Sequence, residues 1–202
     1  MGLRARHEKE KENMRRLILK AAIKIIIAEG YDKLSMRKIA DEIEYSPTTI
    51  YIYYKDKAQI VRDISNRIYE KIVHNTKKIL EENKDVAIEK QLELSFRAFI
   101  ITMTDDIEMG KAVIKSGTDA MFSPETDETQ EKDGIVMLQN LLLKGQQQSI
   151  LRKLDDNVSW MLITALIGFS MDAIESKKCL APNWPELVGI YIEILINGLL
   201  AR

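Results

Sequence analysis

The sequence predicts an all-α protein with an N-terminal three-helix helix-turn-helix head and a larger C-terminal helical body. Three observations support this. Apolar residues recur at three- and four-residue steps through most of the chain, the spacing that lines one face of a helix. Strand-like alternation of useful length is missing, and no internal repeat is found. The 202 residues are 46% hydrophobic, enough for a core, and 30% charged, a mixture too apolar for disorder and too polar for a membrane protein.

From Met14 to Ala28, the residues Leu17, Ile18, Ala21, Ala22, Ile25 and Ala28 form the first stripe. Gly30 is expected to end that helix as a left-handed C-cap, with Tyr31 packed back on its last turn. Ser35 is a good N-cap for a short helix ending near Ile43. Ser46-Pro47 starts another, a cap followed by proline at the first helical position. Asp56 with Gln59 three residues on is capping-box-like, and the stripe Ile60, Ile64, Ile68 and Ile72 predicts a helix to about Leu80.

Asn83-Lys84-Asp85 interrupts the pattern, and a further helix is expected to about Met103. Gly110, Gly117, Pro124 and Gly134 suggest a short helix and a loop over residues 105–134. Helical periodicity returns from Ile135 to about Gln148. Residues 150–156 are a connection, with Asp155 or Asp156 as the next N-cap. Two final helices, roughly 157–176 and 184–200, are separated by the breaker Ala181-Pro182-Asn183.

Several function classes drop out. The longest nearly unbroken apolar run, Trp160 to Phe169, is too short to span a bilayer, so no membrane partner is expected. The start, MGLRARHEKEKENMRR, has no apolar stretch for a secretory signal, and Arg6 stands where a myristoylation signal needs Ser or Thr. A lone Cys179 excludes an internal disulfide framework and fits a reducing, cytoplasmic setting. His7, His74 and Cys179 are too few and too scattered for a zinc-type site, and no metal or cofactor is expected. Without a nucleophile elbow, a Gly-rich phosphate loop or a metal set, no catalytic residue is assigned and an enzyme is not expected.

The net charge of -1 taken alone argues against a polyanionic partner. It conceals an asymmetry. Residues 1–60 hold 13 Lys and Arg against 9 Asp and Glu, a net of +4, which leaves 17 against 22, or -5, for residues 61–202.

The short helices after Ser35 and Ser46, joined by Glu44-Tyr45-Ser46, make a helix-turn-helix pattern. A recognition helix must be short, capped and exposed at its start to enter the major groove. Ser46-Pro47 sets that start and leaves Pro47, Thr48, Thr49, Tyr51 and Ile52 as groove candidates. Thr offers a hydroxyl and a methyl to base edges, and Pro offers apolar contact only. Tyr51 and Tyr53 can donate to phosphate while their rings pack on the scaffold. Ser35, Arg37, Lys55 and Lys57 stand at helix starts, where free N–H groups and the dipole favour phosphate. Ile39, Ala40, Ile43 and Ile50 are the internal packing set. Arg4, Arg6, Lys9 and Lys11 suggest either a basic arm for the minor groove or a solvated helical extension, and the interleaved Glu8, Glu10 and Glu12 favour the extension.

The stretch Ala22…Gly30-Tyr31…Ser35-Met36-Arg37-Lys38-Ile39-Ala40…Ser46-Pro47-Thr48-Thr49-Ile50-Tyr51-Ile52-Tyr53-Tyr54-Lys55-Asp56-Lys57 resembles the DNA-binding domain of the TetR family of bacterial transcriptional regulators. The resemblance covers residues 12–72 and leaves 73–202 as a ligand-binding and dimerisation domain. It likewise implies phosphate contacts at the helix starts. A weaker echo lies at Lys144-Gly145…Ile150-Leu151-Arg152, similar to the family's segment before its last two helices. The family commonly has Gly where this chain has Glu44, and Phe at Ile27 and Tyr54. Glu44 is uncomfortable in a left-handed turn and brings a negative charge towards DNA.

On the final helices, apolar residues cover more than one face, so both are expected to be buried on more than one side. Met161, Phe169, Trp184, Leu187, Tyr191 and Leu195 are the expected interface of a homodimer built from two helices of each subunit, which is also the mode the resemblance implies. Phe96, Phe99, Met103, Met121, Phe122, Met137 and Trp160, with Met109, are candidates for a pocket around an apolar ligand, though each taken singly is more readily core. The expected protein is a homodimeric regulator, a repressor, that binds a palindromic double-stranded DNA operator and is released by a small apolar effector of unknown identity. The alternative is a small-molecule-binding helical protein without DNA-binding activity.

Overall fold

The computed structural model describes residues 3–116 and 130–201, with side chains for 5–116 and 134–201. Among them the chain is helical, with no β-strand. The helices are α1 (Leu3–Glu29), α2 (Met36–Glu42), α3 (Pro47–Tyr53), α4 (Lys57–Glu82), α5 (Ile88–Asp105), α6 (Ile107–Ser116), α7 (Gln130–Gln147), α8 (Val158–Glu175) and α9 (Trp184–Asn197). The described residues form two compact units, one of 3–67 with 108–116 and one of 68–107 with 130–201. This division at 67/68 and the sequence-based one at 72/73 both fall inside α4.

In the amino-terminal unit α1 is longer than its apolar stripe, because residues 5–13 continue it as an exposed polar helix. Arg6 and Glu10 pair at 3.0 Å one turn apart, a contact worth a few tenths of a kcal/mol at about 0.3–0.5. This is the solvated extension rather than a free arm. Gly30 departs from expectation in detail. Its φ of 89° and ψ of 163° lie outside the left-handed helical well, in a region open to glycine alone, and the chain leaves α1 extended into a 3-10 turn at Tyr31–Lys33. Ile18, Ala22, Ile26, Ile39, Ile50, Ile60 and Ile64 are among the buried apolar residues that α1 to α4 contribute to this unit's interior.

In the carboxy-terminal unit, α5 packs against α7, α8 and α9. Its buried Leu92, Phe96 and Ile100 meet Leu142, Leu162, Leu166, Val188 and Ile192 in one cluster. The break before α5 is held by Gln91, whose buried amide donates to the carbonyls of Lys84 (3.1 Å) and Val86 (2.8 Å). The expected Asp cap on α8 is corrected: Asn157 occupies the cap position without a side-chain cap bond. Asp155 instead accepts from the Asn157 backbone (2.8 Å) and side-chain amide (2.9 Å), which holds its carboxyl below the usual range. By length and composition α8 is apolar enough to cross a bilayer, but its Leu162, Leu166, Ala173 and Ile174 are core residues of this unit.

The segment after α7 has a packing reason. An added Cβ on Gly145 would meet the Leu151 side chain at 2.6 Å, so any larger residue would force that side chain to shift. Ile150 and Leu151 both donate to the Gly145 carbonyl, and Arg152 N–H donates to the Leu199 carbonyl at 3.0 Å.

Candidate nucleic-acid interface

The turn between α2 and α3 is built from the residues the sequence marks. Ser35 caps α2, its hydroxyl accepting from Lys38 N–H at 3.2 Å. Ser46 caps α3 in the same way from Thr49 N–H, also at 3.2 Å, with Pro47 in the first turn. Between them Glu44 takes a φ of 59°, so a β-carbon sits in the left-handed region where glycine would be free of cost. The Tyr45 N–H to Ala40 carbonyl bond at 2.9 Å closes the turn.

α3 is seated by two residues four apart, Ile50 and Tyr54, both buried. The Tyr54 ring fills the site and its hydroxyl donates to Asp63. Asp63 also accepts from Arg67 Nε (3.2 Å), and Arg67 donates to Glu12 (2.9 Å), so α1, α4 and the end of α3 share one polar chain. Burial and Asp63 push the Tyr54 phenol well up. Burial disfavours the Arg67 cation, but Glu12 and Asp63 outweigh it and raise its pKa.

With that side consumed, Pro47, Thr48, Tyr51 and Ile52 are left exposed, Ile52 at 72% and Tyr51 at 57%. Thr49 and Tyr53 are half-buried. The Thr49 hydroxyl lies 2.9 Å from that of Ser46, so it shares in the cap instead of standing free. Ser35, Arg37 and Lys55 are exposed. Lys57 is half-buried. Its ammonium donates to the Tyr31 carbonyl at 3.3 Å and lies 4.3 Å from the Tyr31 ring centroid, so it also holds the turn after α1. Asp56 caps α4 through Gln59 N–H (2.8 Å), while Gln59 accepts from Lys55 N–H (2.6 Å). The box is thus displaced by one residue and uses up the Lys55 backbone donor. Tyr45, which the sequence reasoning passed over, is exposed in the turn beside this face; its position between two helix signals was the cue.

An open cleft of about 540 Å³ in this unit is lined by Ala28, Glu29, Gly30, Tyr31, Asp32, Lys115 and Ser116, with Lys115 donating to the Ile27 carbonyl at 2.7 Å. It does not involve the residues expected to line a pocket. Of those, Phe96 and Met103 are fully buried, Phe99, Met109 and Met137 are half-buried, and Met121 and Phe122 lie outside the described residues. Trp160, expected inside, is 63% exposed on α8.

Three of the expected interface residues pack on each other within the chain. Phe169 stacks on Tyr191 with ring centroids 3.9 Å apart, and on Trp184 at 5.4 Å. Trp184 is buried in this unit's own core, and the Tyr191 hydroxyl donates to the Ala165 carbonyl at 2.7 Å. Leu187 and Leu195 are half-buried and Met161 is exposed. Beside Met161, the large apolar side chains left uncovered on α8 and α9 include Trp160, Ile190 and Ile194.

Residues 18–64 match the family described as bacterial regulatory proteins, tetR family. An uncharacterized HTH-type transcriptional regulator from Haemophilus influenzae is 28% identical over 74 residues, a match spanning 37% of this chain and 40% of that protein. Among solved structures, a TetR family transcription regulator from Marinobacter aquaeolei VT8 superposes with a TM-score of 0.73 at 17% identity, covering 98% of this chain and all (100%) of that one. The fatty acid degradation regulator FadR from Bacillus halodurans gives 0.71 at 20% identity over 93% of this chain and 97% of its own. At such identities the structural likeness establishes the fold, and the matched segment contains the whole helix-turn-helix. Residues 18–64 are thus a segment of the tetR family type, with the helix-turn-helix of Ser35 to Tyr54 inside it.

Proposed function

We propose that this protein is a ligand-responsive repressor that binds a palindromic operator as a cytoplasmic homodimer. The observation that supports this most is α3: seven residues, capped by Ser46, seated on Ile50 and Tyr54, with Pro47, Thr48, Tyr51 and Ile52 turned to solvent. That is the form a major-groove reader needs. Arg37 and Lys55 are the freest cations beside it and take phosphate, with Ser35 and Tyr53; Lys57 contributes less, since Tyr31 already engages it. Thr48 and Tyr51 face the bases, and Thr49 acts mainly through the cap.

The second copy is placed on α8 and α9. The Tyr191–Ala165 bond sets these helices side by side. One turn towards the start of α8 lie Trp160 and Met161, and about one turn along α9 lies Ile194. A monomer would leave this apolar surface in water, and a twofold contact covers it. Residues 73–202 hold the effector site in this reading, and α4, which runs from the amino-terminal unit into the other, carries the response. An apolar effector is in keeping with the fatty acid degradation role named for the Bacillus halodurans protein.

Gel-shift titration against the DNA upstream of its own gene, over a salt series, tests the proposal. A saturable shift that survives competitor DNA is expected, and Arg37→Ala or Lys55→Ala should each lower the salt slope by about one. No specific shift even at low salt would favour the alternative, a helical small-molecule binder without DNA affinity.

A further inference from the structure

The seven side chains of α3 are Pro, Thr, Thr, Ile, Tyr, Ile and Tyr. None is Arg, Lys, Asn or Gln, the groups that take guanine or adenine with two hydrogen bonds, and none is an acid that accepts from cytosine. Helical spacing puts Thr48 over Tyr51 and Ile52, three and four residues on, and Ile50 and Tyr54 are buried on the other side. The exposed face is therefore a methyl, a ring and a branched alkyl group, with a proline at its head. Ile52 is more exposed than any other large apolar residue described, although helix, turn and cap hold it rigidly in place. A major-groove edge offers one apolar handle, the C5-methyl of thymine.

We infer that α3 reads thymine methyl groups, with Ile52 as a specificity-determining residue and Thr48 and Tyr51 beside it, so that the operator half-site has A·T pairs under this helix. The inference rests on the DNA-binding reading above. Duplex DNA is favoured over a protein as the occupant of this apolar face because Arg37 and Lys55 flank it exposed and residues 1–60 are net +4, 13 Lys and Arg against 9 Asp and Glu.

The test begins by selecting bound duplexes from a random library with the full chain. Each thymine of the enriched half-site is then replaced by uracil, which removes the methyl and keeps every hydrogen-bonding group. A·T pairs should be enriched at the centre of each half-site, and uracil at one or more of them should weaken binding about fourfold, the effect of one buried methyl. Ile52→Ala, a surface change, should abolish the uracil penalty at one position and leave the others. If uracil is tolerated everywhere, or every penalty persists in Ile52→Ala, the inference is overturned while the regulator reading stands. If no sequence is enriched at all, both fall together.

Discussion

Ile52 on α3 and Ile194 on α9 are almost equally exposed, at 72% and 64%, yet the partners proposed for them differ because their surroundings do. α3 is a short helix with two buried residues behind it and exposed cations at its flanks. α8 and α9 contain no Lys or Arg, and behind Trp160 and Ile194 lies the main apolar cluster of their unit. A side chain on a thin element flanked by cations can meet a polyanion edge. On a thick, cation-free one it extends a core that continues into another molecule. Exposure alone therefore names no partner; the charge beside it and the apolar depth beneath it do.

The largest effect should come from giving the second surface the wrong chemistry. Trp160→Glu with Ile194→Glu puts two like charges into each half of the proposed contact. Each buried large side chain is worth about 1.5–3 kcal/mol, so self-association should weaken by about a hundredfold or more. Sedimentation velocity would show a monomer where the unaltered chain is a dimer. An unchanged sedimentation coefficient would remove α8 and α9 from the interface. The same exchange at Ile52 should leave the oligomer intact.

Gly145→Ala tests the packing of the same unit. The new methyl overlaps Leu151 at 2.6 Å and approaches Ile88 at 3.1 Å, and overpacking of this kind costs about 1–3 kcal/mol. Urea unfolding followed at Trp160 and Trp184 reads this loss. If the midpoint does not move, Leu151 can turn aside and the close approach is not required.

How much was legible beforehand follows the same contrast between the two units. In the amino-terminal unit, local chemistry decides structure: Ser35, Ser46 and Asp56 each accept the cap bond that their position in the sequence implies. There the motif, the turn and the exposed face could all be read. On α8 and α9 most positions are apolar, so composition cannot separate residues facing their own core from residues facing a partner. Trp184 and Trp160 look interchangeable in sequence, but one is stacked inside and the other is outside. The pocket set is ambiguous in sequence for a related reason: residues such as Phe96 and Met103 suit a ligand or a core, and both are buried. The odd detail that remains is also local. Glycine at 30 was legible, but the contact of Lys57 with the neighbouring Tyr31 joins residues that no short window of sequence contains.

Back at the turn, Glu44→Gly should stabilise the amino-terminal unit. A non-glycine residue in the left-handed region costs about 1 kcal/mol, partly offset by the extra freedom glycine gives the unfolded chain. The expected gain is a few tenths of a kcal/mol to about 1 kcal/mol, together with tighter non-specific DNA binding as a negative charge leaves the face. A lower melting temperature would mean that the Glu44 side chain contributes a contact that outweighs the strain.

The smallest effect is the most specific to this chain, because it concerns the hydroxyl that Tyr54 adds to a buried ring. Its phenol is pushed up by burial and by Asp63, so the folded state favours the neutral form. The stability it contributes is complete below the ordinary phenol pKa, near 10, and is lost as pH rises beyond it. Tyr54→Phe removes the hydrogen bond but leaves Asp63 its bond from Arg67, so the loss at neutral pH should be about 1 kcal/mol. The variant cannot lose what it lacks, and its stability should therefore approach that of the unaltered chain between about pH 10 and 11. Unfolding curves for both proteins from pH 7 to 11 measure the difference directly. A gap that stays constant across that range would show that the hydroxyl acts only through packing, and the polar chain from Glu12 to Tyr54 would then hold α3 through the Arg67–Asp63 pair alone.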